Sequence, residues 1–264
     1  MDPSRISACT FPVRKRDLDF IFGLIRDSGF AKVDLWGGPP NFSADPDECD
    51  PVALREKAAD YGLQIANLGT YPGRNFLAED PSERQQEMAD MKRTIDMAAL
   101  LGCRSIRVHP GTGDDPSIIS RLVPLFKESA EYAAEKNVLL GIENHKGSIT
   151  SDPELCATLV AKVASPYFGV LYEPANLMHC GVDYREALEL MRGQVVHVHV
   201  KDSRWVDGSY ERTMLGRGDI DLAWVVDALE RDGYRGDYAL EYEIQDRIPV
   251  ETGLPQWFEW FSRL

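Results

Sequence analysis

The segment from residue 81 to residue 109 is PSERQQEMADMKRTIDMAALLGCRSIRVH. It contains the signals of one helix and of one strand, and the prediction of the fold starts from these two elements. Pro81 and the acidic residues after it are typical of the start of a helix, and Gly102 is typical of its end. The run CRSIRVH at 103–109 has the β-branched and apolar composition of a strand. The segment therefore predicts a helix that leads directly into a strand.

The same alternation continues in both directions along the chain. Seven further strands are predicted at residues 5–11, 30–36, 63–69, 138–145, 167–173, 194–201 and 236–243. Helical patterns are found at residues 14–28, 51–61, 117–136, 152–164, 183–192, 221–232 and 253–263. Eight strand and helix units in 264 residues match the roughly 250 residues of a (β/α)8 barrel. We therefore predict the α/β class and a single TIM-barrel domain over residues 1–264, with eight parallel strands.

A doubly wound open sheet is the alternative architecture for alternating strands and helices. Its phosphate turn needs a GxGxxG motif after the first strand, but the stretch TFPVRKRD at 10–17 contains no glycine. The closed barrel is therefore favoured. Irregular segments at 37–50, 70–80 and 203–220 each follow a strand. They are expected to shape a substrate pocket, because barrel enzymes keep their active-site loops on that face.

Composition and charge restrict the class of protein. The formal net charge of −14 opposes the phosphate backbone of nucleic acids, so nucleic acid is not an expected partner. The longest apolar runs, VLLGI at 138–142 and QVVHVHV at 194–200, are far shorter than the roughly 20 residues that cross a bilayer. The five cysteines are widely spaced and form no CxxC pair. These features, together with an N-terminus that lacks a signal-type apolar core, predict a cytoplasmic protein without a membrane partner.

Polar side chains mark the carboxyl ends of four consecutive predicted strands. Alternate residues of a barrel strand point inward, and the inward set comprises Glu143, His145, Glu173, His197, His199, Lys201, Glu241 and Glu243. Converging carboxylates and an imidazole would repel and desolvate one another unless a cation neutralised them. One divalent metal ion is therefore expected. A carboxylate-rich set with one histidine suits manganese, magnesium or cobalt, with zinc as an alternative.

The segments LLGIENH, FGVLYEPAN, VVHVHVKDS and GYRGDYALE resemble the fifth to eighth strands of the sugar phosphate isomerase/epimerase family, which has the xylose isomerase-like TIM barrel. The resemblance implies that the metal ligands are Glu143, Glu173, His199 and Glu241. The family usually has aspartate where this sequence has Glu173, and the extra methylene shifts the ligand oxygen. We expect Glu173 to remain a ligand. Glu243 is the alternative to Glu241, either as the ligand or as a group that supports it.

The resemblance also implies the chemistry. We expect a divalent-metal-dependent isomerase or epimerase that acts on a small sugar or keto-sugar through an enediolate. Glu143 and Glu241 are the expected acid and base, with His145 as a reserve base. The alternative is a metal-dependent lyase that eliminates a group from a keto-sugar or keto-inositol. A DNA hydrolase related to endonuclease IV would need more histidines than the five present, and a barrel that only binds a sugar or a protein is the remaining alternative.

Further residues are assigned to substrate binding or to packing. His109, Lys201, Trp36 and Asn67 are the candidate substrate-binding residues, because each lies at or near the end of a predicted strand. His197 is expected to pack beneath His199 instead of binding metal. The C-terminal helix carries Trp257, Phe258, Trp260 and Phe261, more aromatic residues than one covering face requires. It is therefore a candidate contact in a homo-oligomer.

Overall fold

The computed structural model describes residues 1–264. The strands are β1 (Ile6–Cys9), β2 (Lys32–Trp36), β3 (Gln64–Gly69), β4 (Ser105–Val108), β5 (Leu139–Glu143), β6 (Phe168–Tyr172), β7 (Val195–Val200), β8 (Asp202–Val206), β9 (Ser209–Thr213) and β10 (Tyr238–Leu240). The helices are α1 (Leu18–Asp27), α2 (Pro51–Asp60), α3 (Pro81–Leu101), α4 (Ile119–Lys136), α5 (Pro153–Val163), α6 (Pro174–His179), α7 (Tyr184–Leu190), α8 (Leu222–Arg231) and α9 (Val250–Phe261). None of these helices is both long enough and apolar enough to span a membrane.

Eight of the strands form a closed barrel in the order β1, β10, β7, β6, β5, β4, β3, β2. Strand β1 pairs in parallel with both β10 and β2, and these pairings close the ring. The predicted eight-stranded parallel barrel is therefore confirmed, and the doubly wound open sheet is excluded. Strands such as β1 and β6 are buried along their whole length, as expected where helices cover the outer face of a parallel sheet.

Local signals in the sequence set the helix ends. The carboxylates of Asp17, Asp50, Asp80, Asp152, Asp183 and Asp221 each accept a hydrogen bond from a backbone N–H in the first turn of the helix that follows. Such N-caps satisfy N–H groups that have no partner inside the helix. Gly102 ends α3 in the left-handed conformation at φ 81°, as predicted from the sequence. The alternation of strand and helix is therefore specified locally at these boundaries.

Two elements differ from the predicted pattern. The segment 203–220 is not wholly irregular, because β8 and β9 form an antiparallel hairpin there. Its turn is Asp207–Gly208, and both residues have positive φ, which is the geometry that an Asp-Gly hairpin turn adopts. The second difference is the short helix α6, which begins directly after β6 with Glu173 as its N-cap. Both elements lie at the carboxyl end of the barrel, next to the candidate site.

The aromatic residues of α9 pack within the chain. Trp257 and Phe261 are buried. The ring of Phe258 lies 4.7 Å from that of Phe30, and Trp260 packs so closely on Gly216 that a Cβ there would lie 2.5 Å from its ring. The aromatic residues of this helix therefore have packing partners within the same chain. Their contact with a second subunit remains a prediction.

Candidate metal centre

Four side chains meet at the carboxyl end of the barrel. Glu143 ends β5, Glu173 follows β6, His199 lies in β7 and Glu241 follows β10. One potential ligand atom of each lies within 4.8 Å of the others, and all four residues are buried. Divalent ions bind oxygen and nitrogen ligands at roughly 2.0–2.6 Å, so a group of this size can surround one ion.

The surroundings of Glu173 test whether the group fits a cation. Its Oε1 accepts a hydrogen bond from the backbone N–H of Ala175 at 3.0 Å, whereas its Oε2 is buried without a hydrogen-bond partner. Burial raises the pKa of this carboxyl to about 8. A buried carboxylate oxygen without a partner is costly, and a bound cation would satisfy it. The donor set therefore fits a divalent ion, because Glu173 directs one oxygen toward the α6 N-terminus and has no hydrogen bond at the other.

The two ring nitrogens of His199 contact different carboxylates. Its Nδ1 lies 3.1 Å from Glu143 Oε1 and 3.9 Å from Glu241 Oε2, and its Nε2 lies 3.0 Å from Asp34 Oδ2. Burial alone would lower the pKa of His199, but the adjacent carboxylate of Asp34 raises it well above its ordinary value. Because Asp34 engages Nε2, Nδ1 is the nitrogen that faces the candidate ligands.

Asp34, on β2, was missed by the sequence analysis. Its Oδ2 also lies 2.7 Å from His197 Nε2 and accepts a hydrogen bond from Asn67 Nδ2 at 3.0 Å. Burial alone would raise its pKa, but the two histidines lower it below the ordinary range. Asp34 shares the strand parity of Trp36, so inward orientation could have been expected from alternation. His197 sits beneath His199 in this hydrogen-bonded group and does not join the four candidate ligands.

Lys201 neutralises much of the negative charge of the neighbouring carboxylates. Its Nζ lies 2.6 Å from Glu241 Oε2, 2.9 Å from Glu243 Oε2 and 3.6 Å from Glu173 Oε2. Burial alone would lower the pKa of Lys201, but these carboxylates raise it well above the ordinary value. Both Glu241 and Glu243 contact Lys201, but only Glu241 belongs to the four-residue group of potential ligands.

Arg107, on β4, is the second residue that the sequence analysis missed. Its Nη1 donates a hydrogen bond to Glu143 Oε2 at 2.6 Å, and its guanidinium lies 4.1 Å from the centre of the Tyr71 ring. Burial alone would raise the pKa of Glu143, but Arg107 and then His199 lower it well below its ordinary value. Glu143 is therefore held in the ionised form, which is the form needed in a metal ligand or a general base.

A cavity of about 210 Å³ opens above these residues. Its walls include Glu143, Glu241, Lys201, His109 and His145 from the predicted site residues. His145 is exposed, with its Nδ1 3.0 Å from the carbonyl oxygen of Lys146. His109 is half-buried, and burial followed by the charges of Arg74 and Arg107 lowers its pKa to about 4. The His109 ring is therefore neutral near pH 7.

The other two predicted substrate-binding residues do not line this cavity. Asn67 is fully buried, and its amide is occupied because Nδ2 donates to Asp34 and Oδ1 accepts from Ser105 Oγ at 2.7 Å. Trp36 packs its ring over Gly38. The apolar part of the cavity wall is instead formed by rings such as Phe11 and Tyr71. Asn67 thus supports Asp34 from below the cavity floor.

A closed parallel barrel with a buried group of potential metal ligands at the carboxyl ends of its strands defines a class of barrel enzymes. A family model described as xylose isomerase-like TIM barrel matches residues 22–264. The chain belongs to this family, as the resemblance of its fifth to eighth strands implied.

Two curated relatives and one solved structure show the range of the family. The chain is 30% identical over 175 residues to 3-oxo-isoapionate decarboxylase of Pectobacterium atrosepticum, a match that covers 64% of this chain and 57% of that protein. It is 25% identical over 197 residues to L-ribulose-5-phosphate 3-epimerase UlaE of Salmonella paratyphi A, covering 72% and 68% of the two chains. A xylose isomerase-like TIM barrel protein from Mycobacterium smegmatis in complex with magnesium superimposes with a TM-score of 0.79 at 17% identity, covering 98% and 95%. The relatives thus include a sugar epimerase and a lyase-type enzyme.

Proposed function

We propose that this protein is a divalent-metal-dependent isomerase or epimerase of a small sugar or keto-sugar. The observation that carries the proposal is the buried group of Glu143, Glu173, His199 and Glu241, two of whose carboxylates also line the cavity. The match to L-ribulose-5-phosphate 3-epimerase supports the same reaction class. Manganese, magnesium or cobalt suits this donor set.

The residues at the cavity floor have different proposed roles in the reaction. A bound ion would supply positive charge that polarises a substrate carbonyl. Glu143 and Glu241 reach the cavity from different strands. One carboxylate can therefore remove the proton next to the carbonyl, and the other, after it has taken up a proton from solvent, can give that proton to the resulting enediolate. Arg107 keeps Glu143 ionised, and Lys201 holds Glu241 by a hydrogen bond of 2.6 Å. His145, which also lines the cavity, is the reserve base.

A lyase is the second candidate function, favoured by the match to a decarboxylase at 30% identity. Loss of carbon dioxide from a 3-oxo acid, or elimination from a keto-sugar, passes through a related enolate that the same positive charges would stabilise. The two functions therefore use the same site and differ in what leaves the substrate.

Incubation in deuterated water distinguishes these functions. Manganese-loaded protein is expected to incorporate deuterium next to the carbonyl of at least one member of a panel of ketoses, 3-keto-sugars and 3-oxo sugar acids, as followed by NMR and mass spectrometry. Incorporation without loss of substrate carbon supports the isomerase or epimerase. Elimination or decarboxylation products would instead support the lyase, and no change in any substrate would contradict both.

A titration of manganese tests the assignment of Glu173. Glu173→Asp is expected to keep a working metal site, because the charge and donor type are unchanged. Glu173→Ala is expected to weaken manganese binding at least about tenfold, the lower end of the loss caused by removing a group that supports a metal site. Isothermal titration calorimetry on the metal-free proteins measures the affinities, with Glu154→Ala on the exposed face of α5 as the control. Unchanged affinity in Glu173→Ala would leave only three protein ligands.

A further inference from the structure

The cavity is rich in positive charge although the protein is acidic. Five cationic side chains line it, namely Arg74, Arg107, Lys146, Lys201 and Arg212, against the three carboxylates Glu143, Glu241 and Glu243. The whole chain has a formal net charge of −14. A cleft lined by one sign of charge concentrates ligands of the opposite sign. By formal count the cavity lining therefore has more cationic than anionic side chains, in contrast to the chain as a whole.

Most of these cations already have carboxylate partners. Arg107 pairs with Glu143, Lys201 pairs with Glu241 and Glu243, and Arg212 Nε lies 3.1 Å from Glu243 Oε2. Arg74 and Lys146 form no ion pair within the chain, and both are exposed at the rim of the cavity. Two positive charges at this rim are therefore free to bind a group that the protein itself does not supply.

The loop that carries Arg74 is held in place by buried contacts. The backbone N–H of Gly73 donates to Glu87 Oε1 at 2.6 Å, and the backbone N–H of His109 donates to the carbonyl of Pro72 at 2.8 Å. Gly73 has φ +103°, and a Cβ there would lie 2.3 Å from the His109 carbonyl oxygen. The Arg74 guanidinium lies 5.6 Å from the centre of the Tyr71 ring. Arg74 thus extends from a fixed loop along the cavity wall.

The loop that carries Lys146 is fixed as well. Ser148 Oγ donates a hydrogen bond to the carbonyl of His145 at 3.2 Å, and Ser148 forms an isolated β-bridge with Gly113. The loops that follow β4 and β5 are thereby joined at the mouth of the cavity. The backbone of Lys146 is therefore held at the cavity, where its side chain belongs to the lining and remains open to solvent.

We propose that the substrate is an anionic sugar whose carboxylate or phosphate group is bound at the cavity rim by Arg74 and Lys146. This inference rests on the proposed function, because the carbonyl end of the same molecule would face Glu143 and Glu241 at the cavity floor. A guanidinium binds carboxylate or phosphate through two parallel N–H groups, and an ammonium adds a mobile point charge. The rim thus selects the charged end of the sugar, and the floor acts on the other end.

The test uses three probes that share a five-carbon chain: ribitol, ribonate and ribitol 5-phosphate. None has an aldehyde or ketone group, so none can undergo the proposed isomerisation or epimerisation. Calorimetric titrations are made on metal-free protein at constant ionic strength, so that the anion cannot bind to an added ion. At least one anionic probe is expected to bind about tenfold or more tightly than ribitol, since a charge-assisted hydrogen bond is worth that factor. The anion that binds more tightly identifies the group, phosphate or carboxylate, that the rim accepts.

The double variant Arg74→Gln, Lys146→Gln is expected to lose this preference and to bind ribitol as the wild type does. Lys162→Gln, on the exposed side of α5, is the matched control and is expected to keep it. Circular dichroism confirms that each variant is folded. Equal affinity for all three probes, absence of binding by both anions, or an undiminished preference in the double variant would overturn the proposal. Anion binding without hydrogen exchange in any ketose, ketose phosphate or 3-oxo sugar acid would overturn the proposed function and leave the anion site standing.

Discussion

Glu241→Gln is expected to lower kcat/KM by about a thousandfold, the middle of the range for loss of a general acid or base. Glu241 lines the cavity, belongs to the four-residue ligand group and accepts a hydrogen bond from Lys201 at 2.6 Å. Glutamine keeps the shape of the side chain but can neither take up a proton at neutral pH nor neutralise a cation. Steady-state kinetics with whichever substrate exchanges deuterium provides the measurement.

The control for this prediction is Glu251→Gln, the same substitution on the exposed face of α9. It is expected to leave kcat/KM unchanged. Thermal unfolding of Glu241→Gln is also expected to remain cooperative, because Lys201 retains Glu243 as a partner at 2.9 Å. Activity near the wild-type level in folded Glu241→Gln would remove Glu241 from the mechanism.

Lys201→Met is expected to destabilise the metal-free protein by about 3–5 kcal/mol, the cost of removing one partner from a buried ion pair. The ammonium of Lys201 is buried and lies 2.6 Å from Glu241 Oε2, so its loss leaves the buried Glu241 carboxylate without its hydrogen-bonded cation. Urea unfolding in the presence of a chelator measures the free energy of unfolding. Addition of manganese is expected to restore part of the lost stability, because the ion would compensate the same carboxylate.

Lys57→Met is the matched control for this second prediction. Lys57 forms an ion pair with Asp19 at 2.6 Å, but their side chains are 37% and 62% exposed. Exposed pairs contribute at most about 1 kcal/mol, so this variant is expected to unfold close to the wild type. Equal destabilisation of the two variants, or a Lys201→Met protein that does not respond to manganese, would show that Lys201 does not compensate the carboxylate group.

Local patterns in the sequence predicted the barrel and the inward polar residues at its carboxyl end, and the family resemblance selected the four candidate ligands from that inward set. Strand alternation and the position of strand ends are short-range properties, and they place Glu143, Glu173, His199 and Glu241 on the inner face at one end. The hairpin in 203–220 also had a local signal, the Asp-Gly pair at its turn. It was missed because the strands that flank this pair are short and largely polar.

Asp34, Arg107 and Asn67 could not be assigned in the same way, since their roles depend on which residues face them across the barrel. Asn67 pairs in register with Ser105 and lies below the cavity, and the register between β2 and β3 shifts between Val33 and Asp34. Such register is fixed by packing between distant segments. Inward orientation can be derived from alternation alone, but depth along the barrel axis cannot.

The hydrogen bonds that Asp34 accepts from His197 and His199 cross the interior of the barrel. Asp34 belongs to β2 and the histidines to β7, and two strands, β1 and β10, separate them in the ring. A half-barrel fragment that begins after β4 would retain all four candidate ligands but would lack the carboxylate that orients the imidazole. A circular permutant, by contrast, keeps both halves in one closed ring. Circular permutation is therefore expected to preserve the orientation of His199. Expression of the two halves as separate fragments is expected to restore that orientation only where the fragments reassemble.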